Sequence, residues 1–96
     1  MLTKEQKQKW ANALRSGDYK QERDRLCNTG NLQTADCYCC LGVLVHVVDP
    51  TEIFAYPLNL YLLSAEAEVE FTQMNDVEKM SFSEIANEVD KLPTID

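Results

Sequence analysis

Cys27, Cys37, Cys39, Cys40 and His46 are the residues of this chain whose types suit metal or nucleophilic chemistry. Thiolate and imidazole ligands in this number would suffice for tetrahedral zinc. Their spacing does not serve it. The one C-x-x-C spacing, Cys37 to Cys40, has no second such pair to complete a knuckle, and the adjacent Cys39 and Cys40 point in different directions on a regular element. A catalytic thiol needs a base beside it. Cys39 and His46 share a helix face but stand about 10 Å apart along its axis. Cysteine is among the residue types most often buried and packs as a small hydrophobe. The expectation is therefore buried thiols, no metal, no cofactor, no catalytic residue and a protein that is not an enzyme.

A second chemistry is anion binding. Lys20, Arg23 and Arg25 form the only dense basic cluster. Arginine forks match phosphate and carboxylate. With Asn28 in the Asn28–Asn31 turn, and with Tyr38 and the free N–H groups at the start of a following helix, the cluster could hold an anionic small molecule such as a nucleotide. Glu22 and Asp24 are interleaved with these bases, so ordinary surface pairing competes.

A third is docking through acids. Glu66, Glu68, Glu70 and Asp76 open an acidic C-terminal third that continues through Glu78, Glu84, Glu88 and Asp90. Such a surface could meet a basic partner or mimic nucleic acid; solvated helix faces are the plainer reading. The sequence carries no Gly-rich phosphate loop and no nucleophile elbow.

The whole chain bounds these choices. Ninety-six residues, 45% of them hydrophobic and 26% charged, suit one small globular domain over residues 1–96. The net charge of −7 opposes binding of nucleic acid by the surface as a whole. The charge is uneven. Residues 1–25 hold seven bases and four acids, and residues 26–96 hold two bases and twelve acids. The longest apolar run, residues 37–48, falls short of the roughly 20 residues a membrane span needs. The expected setting is cytoplasmic, where thiols stay reduced.

The elements that must position these residues follow from pattern. Thr3 and Gln6 make a capping box, Trp10, Ala11 and Leu14 an apolar stripe, and Gly17 a stop, which predicts a helix over 4–15. The turn at 28–31 predicts a short hairpin pairing 23–28 with 34–38. Residues 39–48 fit two periods. Val43, Val45, Val47 and Val48 favour strand; Leu41, Leu44, Val45 and Val48 make a helical stripe. A buried helix is preferred, with Gly42 allowing another backbone to come close, and Asp49-Pro50 ends it. Residues 50–63 should pack irregularly on the core. Ser64 should cap a helix over 65–75, ended by Asn75 in the left-handed region. Ser81 and Glu84 make a second capping box for a helix over 82–91. The expected fold class is α+β: three to four helices around a central buried helix, with one short β-hairpin.

Four pieces recur together in one order: Trp10-x-x-Ala13-Leu14-Arg15-Ser16-Gly17-x-Tyr19-x-Gln21, Tyr38-Cys39-Cys40-Leu41-Gly42-Val43-Leu44, Phe71-x-x-Met74-Asn75-Asp76 and Ser81-Phe82-x-x-Ile85-Ala86. In these the chain resembles a family of small phage and prophage accessory proteins. It departs from the pattern at Cys27 and Cys37, and at Val45, where another cysteine would be expected. The resemblance implies a lifestyle rather than a chemistry. It points to a small non-enzymatic protein that binds and modulates a host factor, such as an antiviral-defence component. The alternative is a sponge for an anionic nucleotide signal. A host protein is the expected partner, and a homo-oligomer is compatible.

Overall fold

A computed structural model describes residues 2–23, 37–48 and 63–96. Four helices and a two-stranded sheet form a small α+β fold. In chain order they are α1 (Lys4–Ser16), β1 (Lys20–Gln21), β2 (Cys37–Tyr38), α2 (Cys40–Val48), α3 (Ala65–Asp76) and α4 (Phe82–Val89).

The second helix is the hub. Cys40, Leu41, Gly42, Val43, Leu44 and Val45 are all buried, and only its last turn reaches the surface. Helix wins over strand here because α1 and α3 pack against α2, burying it nearly all round. A helix apolar on every side belongs in the interior. From α1 come Trp10, Ala11 and Leu14, and from α4 Phe82, Ile85, Ala86 and Val89. Phe71 of α3 meets Trp10 with ring centroids 5.0 Å apart.

The helix ends are set largely by local chemistry. Gln6 N–H donates to Thr3 Oγ1 (3.1 Å), and Thr3 N–H donates to Gln6 Oε1 (3.0 Å). Gly17, at φ +80°, closes α1 in the left-handed region. Ser81 and Glu84 repeat the reciprocal box at α4, and Ser64 caps α3 through the Ala67 N–H. The Lys7 ammonium closes the far end of α4 by donating to the carbonyls of Asp90 (3.3 Å) and Leu92 (3.0 Å).

Two expectations are corrected. The sheet is not a hairpin. Cys37–Tyr38 pairs in parallel with Lys20–Gln21, Lys20 opposite Cys37 and Gln21 opposite Tyr38. Parallel pairing needs a connection of about a dozen residues or more, and residues 22–36 supply one. The expected strand 23–28 and its turn lie, apart from Arg23, outside the described residues. Nor does Asn75 end α3. It sits within the helix, fully buried, and the left-handed residue is Lys79 at φ 55°. The apolar stretch expected at 50–63 lies outside the described residues except for Leu63, which is buried.

Candidate functional site

Cys39 and Cys40 are placed as parts of the scaffold, while Cys27 lies outside the described residues. Cys39 occupies the N-cap position of α2, and its Sγ accepts from the Gly42 N–H at 3.4 Å. Here sulfur takes the role that a serine oxygen takes as an N-cap. Cys40 is tied at three points. Its N–H donates to Asn75 Oδ1 (3.2 Å), its carbonyl accepts from Trp10 Nε1 (2.8 Å), and its Sγ donates to the Phe71 carbonyl (3.4 Å). Burial, with Cys39 and then Asp76 adding to it, pushes the Cys40 thiol well above the usual thiol range. A thiolate nucleophile is disfavoured at that position. Among the described residues no group of three or more His, Cys, Asp or Glu side chains could hold a metal ion.

Asn75 is the polar centre of the structure. Its Oδ1 accepts from Cys40 N–H and from Gln21 Nε2 (2.9 Å). Its Nδ2 donates to the Glu22 carbonyl (2.7 Å) and to Asp76 Oδ1 (2.7 Å). Two acceptor and two donor capacities are thus filled, which also fixes the orientation of the amide. One side chain joins α3, β1 and the start of α2. Gln21 extends the network by donating to the Met80 carbonyl (2.7 Å).

Beside the sheet, Tyr19, Tyr38 and His46 form a triangle of rings with centroids 5.2–5.4 Å apart. Tyr19 Oη lies 2.8 Å from His46 Nδ1. Burial first, then Tyr38 and Asp18, raise the Tyr19 hydroxyl above its usual range. The neutral phenol therefore persists, a packing partner for the imidazole rather than a nucleophile.

The anion cluster read from the sequence is dispersed where it can be seen. Lys20 is exposed on the short sheet. Arg23 instead reaches the α3–α4 connection, where Nη2 lies 3.5 Å from the Lys79 carbonyl. Its Nε is buried and has no hydrogen-bond partner among the described residues. Tyr38 belongs to the ring triangle, and Arg25 and Asn28 lie outside the described residues.

The acidic set divides in two. Glu66 and Glu70 are exposed, whereas Glu68 and Asp76 are half-buried. Asp76 takes the Asn75 amide on its carboxylate. Exposed with Glu66 and Glu70 is Val69, at 56%; beyond the last turn Val77 is 73% exposed. At 100° per residue, Glu66, Val69, Glu70, Gln73 and Val77 fall in a sector about 100° wide, opposite buried Phe71 and Asn75. Two exposed valines thus stand beside exposed carboxylates on this sector.

The chain belongs to the DUF8296 family. The family model, described as a domain of unknown function, matches residues 2–52. That segment contains α1, both strands and α2, so the thiol cap, Trp10 and the ring triangle lie inside it. Asn75 and the α3 face lie beyond it. No curated protein and no solved structure matches the chain. Sequence reasoning did not single out Asn75, Val69 or Tyr19 as site residues. Asn75 and Tyr19 do stand in the recurring pieces of sequence, and that was the available signal; Val69 had none beyond its exposure.

Proposed function

We propose that the protein is a non-enzymatic phage accessory protein that binds and modulates a basic host protein in the host cytoplasm, an antiviral-defence component being the target class. The observation that carries this reading is the outer sector of α3. Val69 and Val77 lie uncovered there beside Glu66 and Glu70. Apolar anchors within a charged surface suit docking, the valines supplying burial and the carboxylates steering and selecting the partner. The net charge of −7 extends the same attraction over a longer range. The resemblance to phage accessory proteins supplies the host-factor setting. No helix among the described residues is long and apolar enough to cross a membrane.

The test is a charge-reversal pull-down. Tagged protein and its Glu66→Lys/Glu70→Lys variant are each presented to host lysate. The expected result is one basic protein retained by the first and lost with the second, while both variants melt alike. Retention by both variants, or by neither, refutes docking through α3.

A further inference from the structure

The cations that the fold gathers are not the ones clustered in sequence. Lys4, Lys7 and Arg15 lie on one side of α1 and line an open groove of about 440 Å³ between that helix and the segment following α4. Spacings of three, eight and eleven residues bring them onto one helical face. Buried Ala11 belongs to the same lining, and the exposed side-chain amides of Gln8 and Asn12 border it.

Two of these cations are held in place yet keep donors to spare. Lys7 Nζ uses two protons on the carbonyls of Asp90 and Leu92 and has a third. Arg15 engages Asn87 Oδ1 (2.9 Å) and Asp90 Oδ2 (2.6 Å) through Nη2. The rest of its five-donor fork is uncommitted in those contacts. Both cations thus converge on one residue, Asp90, the first on its carbonyl and the second on its carboxylate. Among the described residues Asp90 is the one acid lining the groove, against three bases. Asp96 stands near one end, where its carboxylate accepts from the Lys4 backbone N–H at 2.8 Å. The Lys4 side chain is exposed.

We propose that this groove is a binding site for a phosphorylated small molecule of nucleotide size. Anchored cations lose little side-chain freedom when an anion arrives, which lowers the cost of binding. Two ammonium groups and a guanidinium lining one groove suit the several acceptor oxygens of a phosphate. The volume lies within the range of small-molecule sites and exceeds what one phosphate fills. The amides of Gln8 and Asn12 offer donors and acceptors to a polar ring beyond it. A long polyanion is disfavoured by the overall charge of −7.

The test is a titration of the ¹⁵N-labelled full chain with inorganic pyrophosphate and, separately, with adenosine monophosphate. The expected result is saturable amide shifts at Lys7, Gln8, Asn12 and Arg15 with both probes. Lys4→Gln should weaken both about fivefold, the scale of one exposed charge contact. Asn12→Ala should weaken the nucleotide alone. Both substituted side chains are exposed, so melting should be unchanged. Absence of saturable shifts at millimolar probe overturns the site. So do shifts centred on Lys20 and Arg23, which would return the anion to the cluster dense in sequence. Pyrophosphate binding with no response to the nucleotide overturns the nucleotide-sized ligand.

Discussion

At the scale of single residues, Asn75 carries the highest stakes. It is fully buried and polar, and it makes four hydrogen bonds to three parts of the fold. Asn75→Ala would leave the buried Cys40 N–H without its acceptor and take a donor from the half-buried Glu22 carbonyl, at a cost of about 3 kcal/mol. Urea unfolding should read this as a lower midpoint with an unchanged slope. Lys79 offers the opposite sign. Its φ of 55° puts an ordinary side chain in the left-handed region. Lys79→Gly relieves that strain but frees the unfolded chain, and the net gain should be about 0.5 kcal/mol by the same measurement. Of these two, only Asn75 stood in a sequence piece worth attention, and there it read as a helix stop. Its pattern could not show that a buried helix start 35 residues earlier would need its oxygen.

At the scale of elements, helices α1 and α4 are written locally and their ends behave accordingly. Thr3 with Gln6 and Ser81 with Glu84 close reciprocal caps from residues three apart. Such contacts need no tertiary partner, which is why sequence placed them to within a residue or two. The Ser81 backbone and hydroxyl hold the Glu84 carboxyl below its usual range. A carboxyl pKa lowered on folding adds stability that is present above the unfolded value, about 4.3, and is lost as pH falls through the folded value. Ser81→Ala should therefore flatten the fall in melting temperature between neutral pH and the acid side of that range, measured by circular dichroism. The start of α2 is the contrasting case. Its cap is a sulfur, Cys39 Sγ on the Gly42 N–H, helped by an amide from α3. Neither partner belongs to the usual capping vocabulary, so the element was legible only as an apolar run that fitted two periods.

At the scale of the whole molecule, the uneven charge of the sequence is partly cancelled by the fold. Basic α1 packs on α4, where Arg15 meets Asp90 at 2.6 Å and Lys7 meets the last carbonyls. Among the described residues Glu66 and Glu70, on the outer sector of α3, have no such basic neighbour, and the proposed docking face is what remains. The core behind it is built on α2, with Cys40 fully buried at its centre. A thiol there reacts only when the core opens. Burial also holds it protonated, so the stability it contributes is full below the ordinary thiol range and is lost as pH rises through the folded value. Alkylation of Cys40 by iodoacetamide at mildly alkaline pH should accordingly track the global unfolding free energy, and Asn75→Ala should accelerate it about a hundredfold. An alkylation rate at Cys40 as fast as that of a free thiol in the native protein would contradict this placement.

What the sequence by itself determined is whatever rests on neighbours along the chain. That includes the α+β class, the capped ends of α1 and α4, the apolar centre at 37–48 and the acidity of α3. Periodicity and capping act within a few residues, so they are legible without a fold. Only the tertiary structure decided that the strands pair in parallel, that Asn75 supports the start of α2, and that Lys4, Lys7 and Arg15 share a groove while Lys20 and Arg23 part. Each of these depends on groups far apart in sequence meeting across the core. Burial decides such meetings, because a polar group removed from water must find whichever partner the packing brings to it.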